Sequence, residues 1–131
     1  LITGAEALPP LDNVVGVATG EAIKTKGDVI RKVILARRKA VKFMTEHPDE
    51  AGALIAKDFN ITPEVAANAI RNLTQSKTEG VPYWGEGQVH LDGMNRILEV
   101  QKSVGALKGD FDMEKMVDTQ FLPDDLKAIK K

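Results

Sequence analysis

The sequence predicts a mainly helical segment of an α/β domain. Three observations carry that expectation: apolar residues recurring at intervals of 3 and 4 between Val29 and Phe59, helix-start signals with proline in the first turn, and a single β-branched run from Val14 to Thr19. With 131 residues, the chain can bury one modest core.

Residues 1–13 read as a loop, because the Pro9-Pro10 pair removes two consecutive backbone donors. Val14, Val15, Val17 and Ala18 then predict a short buried strand ending at Thr19. Thr19 is placed to cap a short helix over 21–26, with Glu21 at its positive end and Gly27 closing it.

The longest patterned stretch follows. On a helix of about 100° per residue, Val29, Val33, Ala36, Ala40 and Phe43 form one stripe, widened by Ile30, Ile34, Val41 and Met44. That stripe is the expected core. Arg37 falls among the apolar residues, so its guanidinium is expected to be buried against a carboxylate. His47-Pro48 breaks the helix, and Asp49 and Glu50 occupy the first turn of the next. Ala51, Leu54, Ile55 and Phe59 give this second helix its apolar face, and the short link predicts that the two helices pack side by side.

Thr62-Pro63-Glu64 opens a third helix, with Val65, Ala66, Ala69, Ile70 and Leu73 expected inward. Residues 74–87 are polar and glycine-rich, and Tyr83 and Trp84 are expected to pin them. A fourth helix is predicted over 92–104, with Met94, Ile97, Leu98 and Val104 inward and Gly105 ending it. Asp112 caps a last short helix, Phe121-Leu122-Pro123 docks as an apolar plug, and the lysine-rich end frays.

Composition excludes several function classes. A net charge of −1 argues against a nucleic-acid binder with a basic footprint. The absence of cysteine excludes disulfides and thiolate metal sites. No apolar run reaches the roughly 20 residues that span a bilayer. Leu1 in place of methionine, followed at once by mid-domain sequence, suggests a piece of a longer protein.

The chemistry-bearing residues favour bland readings. Arg31 to Lys42 is a basic cluster best read as a solvated helix face. His47 and His90 have no companion at metal-ligand spacing. Asp110, Asp112 and Glu114 alternate like the start of a calcium loop, but Lys115 stands where glycine is needed. No catalytic group, cofactor motif or metal set stands out, and the chain does not read as an enzyme.

The order of these features resembles a known family. The strand Val14-Val15-Gly16-Val17-Ala18-Thr19, the helix with Arg37 and Ala40, His47-Pro48-Asp49-Glu50-Ala51, Leu54-Ile55-Ala56-Lys57 and Thr62-Pro63-Glu64-Val65 come first. Trp84, Asp92-Gly93-Met94, Gln101, Gly105, Val117-Asp118 and Phe121-Leu122-Pro123 follow. Together they are similar to the C-terminal portion of the nitrate/sulfonate/taurine-type substrate-binding proteins of ABC importers, and to relatives that bind thiamine-pyrimidine precursors. The likeness covers nearly the whole chain through caps and core positions rather than chemistry.

The resemblance implies a two-lobed α/β protein, like type II periplasmic binding proteins, of which this piece is mainly helical with one short strand near its N-terminus. Residues 1–19 would be the loop and strand returning from the second lobe, and 20–131 the helical C-terminal portion of the first. A small ligand, anionic or a pyrimidine precursor, would be held between lobes, with an ABC permease as partner and a periplasmic or membrane-anchored extracellular location. Asp12, Asn13 and Thr19 would approach the cleft. A synthase of the thiamine-pyrimidine precursor, similar in fold, and a helical interaction module are the alternatives. For the isolated chain, the unpaired Val14–Thr19 strand predicts a homodimer.

Overall fold

A computed structural model describes residues 7, 11, 14–75, 77, 78 and 81–129. The described elements are α1 (Gly20–Thr25), α2 (Gly27–Glu46), α3 (Pro48–Ile55), α4 (Pro63–Gln75), β1 (Lys77–Thr78), β2 (Val81–Pro82), α5 (Leu91–Ser103) and α6 (Met113–Met116). A 3₁₀ turn, Asp124–Leu126, follows. The chain is therefore mainly helical, as the periodicity requires. It divides into two compact units, one containing residues 35–86 and the other residues 11–34 and 87–131, so α2 contributes to both.

In the first unit the tightest helix pairing is α3 against α4. Ala51, Gly52 and Ala56 meet Ala66, Ala67 and Ile70 in a core made almost entirely of small residues. Gly52 sets the approach: a Cβ there would stand 2.6 Å from the Ala67 nitrogen and 2.9 Å from the Pro63 oxygen. Between the helices Asn60 takes the left-handed conformation, φ 52°, which its short polar side chain tolerates. Ile61 N–H then returns to the Ala56 carbonyl at 3.0 Å. Thr62 caps α4, its hydroxyl accepting from Val65 N–H at 3.3 Å. Arg71 donates from Nη2 to both carboxylate oxygens of Asp49, each at 2.7 Å, and ties α4 to the first turn of α3.

The expectation that the helices flanking His47 lie side by side is corrected. A one-residue link is too short for the 2–5-residue turn of an antiparallel helix pair, so α3 finds α4 instead. The inward faces are corrected in the same sense. Val65 and Ala69 are exposed while Ala67 and Thr74 are buried, and Leu54 and Phe59 are exposed while Gly52 is buried. Close approach at Gly52 rotates each helix so that its smallest side chains face the partner.

The Val29–Phe43 stripe is corrected too. Val41 is buried and Ile30, Ile34 and Met44 are half-buried, but Val29, Val33, Ala36, Ala40 and Phe43 all face outward. The apolar arc spans roughly half the helix circumference, and its covered side runs along Ile30, Ile34 and Val41.

In the second unit, Thr19 caps α1, accepting from Ala22 N–H at 3.2 Å. Phe121 covers the first turn of α2: a Cβ at Gly27 would lie 2.8 Å from its ring. The Arg31 guanidinium sits 5.8 Å from the ring centroid, so Phe121 does dock as the sequence suggests. Leu91 and Gly93 at the start of α5 and Leu126 in the 3₁₀ turn are buried. Gly105 follows α5 at φ 71°, and Ala106 and Leu107 both donate to the Gln101 carbonyl. Val104, expected inside, is exposed because it belongs to this terminating turn.

The predicted strand is not formed. Val14 to Thr19 is irregular and exposed throughout, and the strand pairing among the described residues is the two-residue ladder Lys77↔Pro82, Thr78↔Val81. A strand exists only where a neighbour takes its ladder bonds, and among the described residues none lies beside this run.

Candidate functional site

Of the three residues expected near a ligand, Asp12 and Asn13 lie outside the described residues. Thr19 is exposed at the start of α1 in extended conformation, φ −73° and ψ 155°. Its hydroxyl oxygen accepts the Ala22 N–H, and its carbonyl accepts from Ile23 N–H at 2.9 Å. That bond uses one lone pair of the hydroxyl and leaves its proton out. A capping threonine of this kind can still donate to an anionic or carbonyl oxygen.

The most built-up polar cluster was only half legible. Residues 84, 85 and 86 are each held by a separate contact within the first unit. Trp84 N–H donates to the Leu73 carbonyl at 2.9 Å, Arg37 donates to the Gly85 carbonyl at 2.9 Å, and Arg38 Nε donates to Glu86 at 2.6 Å. The loop is therefore pinned through backbone and charge, and the expectation that the Tyr83 and Trp84 side chains pin it is corrected. Tyr83 is exposed and Trp84 half-buried.

Here the reading of Arg37 is corrected. Its side chain is exposed and its partner is a backbone carbonyl, whereas Arg38 takes the carboxylate. The buried side of α2 is centred near Ile34 and Val41, which moves Arg38 to the margin where a half-buried charge finds an acid. Glu86 carried no periodicity, and nothing in a loop sequence announced it.

The acidic residues of the 110–114 stretch are spent on local structure. Asp112 caps α6, accepting from Lys115 N–H at 3.4 Å, and pairs with the Lys115 ammonium at 2.9 Å. Asp110 accepts from the Lys102 ammonium at 2.8 Å, a contact that holds its carboxyl below the ordinary value of 3.8. Lys127 does the same for Asp124 from 2.7 Å. Among the described residues no three His, Asp or Glu side chains gather as a metal set. His47 stacks against Phe43 with centroids 5.2 Å apart, and its Nδ1 lies 3.5 Å from Glu50. No helix among the described residues is long and apolar enough to cross a membrane.

Hydroxyl, guanidinium and ammonium donors are present at the surface of the described residues. Comparison with family models, with curated proteins and with solved structures gave no match for this chain.

Proposed function

We propose that this chain is part of an ABC-importer solute-binding protein of the nitrate/sulfonate/taurine or pyrimidine-precursor type. Its role would be to capture a small ligand between two lobes and deliver it to a permease outside the cytoplasm. The observation that carries the reading is the order and spacing of the motifs from Val14 to Pro123. The helical architecture is compatible with it: helices whose small residues pair with one another and whose larger apolar residues, Val29, Val33, Leu54 and Val65, face outward are suited to cladding a further layer. In this reading Thr19, with Asp12 and Asn13 before it, would approach the ligand, and Thr19 would offer its hydroxyl proton.

Calorimetric titration of the intact polypeptide tests the proposal, with nitrate, taurine and an aminopyrimidine as probes. Saturable binding of one of them at one site per chain, without turnover, is expected. Consumption of an aminopyrimidine or its precursor would favour the synthase instead. No binding of any probe, together with tight retention of a protein partner, would favour the interaction module.

A further inference from the structure

Val14-Val15-Gly16-Val17-Ala18 stands out from the rest of the second unit. All five residues are exposed, Val14 at 73% and Val17 at 89%. None has a positive φ, and among the described residues none of their N–H or C=O groups has a backbone partner. A β-branched run with a complete row of open donors and acceptors is a template for another strand. It carries no charge, proline or bulge that would deter pairing.

We propose that this segment pairs antiparallel with the same segment of a second copy, about a two-fold axis at Gly16. The sequence argues for that occupant because it is nearly symmetric about this glycine. In this register Val15 faces Val17 of the second copy twice on one side of the ribbon, and Val14 faces Ala18 twice on the other. Gly16 meets its own counterpart at the axis. A one-residue shift would set a valine opposite glycine and lose one of these contacts, and a parallel pairing has slanted ladder bonds that are slightly weaker per residue. An isolated two-stranded ribbon is marginal in water, so the dimer forms reversibly and depends on concentration. The proposal concerns the 131-residue chain: the further sheet strands that the ligand reading calls for would cover the same edge, so the two are tested by separate experiments.

Sedimentation of the 131-residue chain over a concentration series tests it, beside the double variant Val15→Pro/Val17→Pro. With Gly16 facing Gly16 as a non-hydrogen-bonded pair, Val15 and Val17 form the hydrogen-bonded pairs and proline there removes their ladder donors; both sites are exposed, so helix content by circular dichroism is expected to hold. The wild type is expected to shift from monomer to dimer, and the variant to remain monomeric. The chain has no cysteine, so single cysteines report register directly. A Cβ at Gly16 meets nothing within 4 Å, so Gly16→Cys is tolerated. Gly16→Cys should cross-link to itself fastest, and Val14→Cys should link to Ala18→Cys in a mixture but slowly to itself. A monomer at every concentration, a dimer unaffected by the prolines, or cross-linking equal along the segment would overturn the proposal.

Discussion

Gly52 of α3 lies so close to Ala67 of α4 that a methyl group on its Cα would stand 2.6 Å from the Ala67 nitrogen. The obstacle is backbone, so it cannot swing aside. Gly52→Ala sets two effects against each other. Alanine gains about 1 kcal/mol of helix propensity over glycine. Forcing the helices apart costs about 1–3 kcal/mol or more in overpacking and lost contact. The second effect is expected to win, with a net loss of stability in urea denaturation. A rise in midpoint would mean that α3 and α4 do not approach this closely.

Side-chain size does not rank the core. Ile70 is 1% exposed, and Ile70→Ala is expected to cost about 2–5 kcal/mol. Phe43 is 36% exposed, so Phe43→Ala is expected to cost less than Ile70→Ala, despite the larger ring. Paired thermal denaturation curves give the order. A reversed order would restore Phe43 to the interior.

Thr62→Ala removes the acceptor for the Val65 amide at the start of α4 and should destabilise by about 1 kcal/mol. Thr62→Ser keeps the acceptor and should recover most of that loss. Equal losses in the two variants would show that the hydroxyl does not cap.

Asp110 predicts a pH effect of defined sign. Its hydrogen bond and charge pairing with Lys102 lower its carboxyl pKa in the folded chain below 3.8. The fold thus favours the ionised form. The contribution is present above the ordinary carboxylate pKa and is lost as pH falls through the lowered value. Titration of the Asp110 carboxyl carbon by NMR should give a midpoint under 3.8, and Lys102→Met should raise it. An unchanged midpoint in that variant would remove the pairing in solution.

Elements written in local chemistry were legible in the sequence. Thr19, Thr62 and Asp112 cap the helices they were expected to cap, because a cap depends on residues three apart. The facing of those helices was less legible. An apolar arc half a turn wide says that a helix is amphipathic, not which part of the arc meets a neighbour. Gly52 and Ala67 decided that, and their smallness reads as nothing in a hydrophobic pattern. The Val14–Thr19 strand was over-read for a related reason. β-branched residues supply a preference for extended backbone, but the partner strand supplies the hydrogen bonds. At the candidate site, the loop aromatics were visible while Arg38 and Glu86 were not, since the pair joins residues 48 positions apart.

The proposed role makes one demand that a single measurement meets. Intact mass spectrometry of the native polypeptide, recovered from fractionated source cells, reports both its length and its compartment. A solute-binding protein predicts a chain well over 131 residues in the envelope or secreted fraction, long enough to hold two lobes. A 131-residue product confined to the cytosol would contradict it.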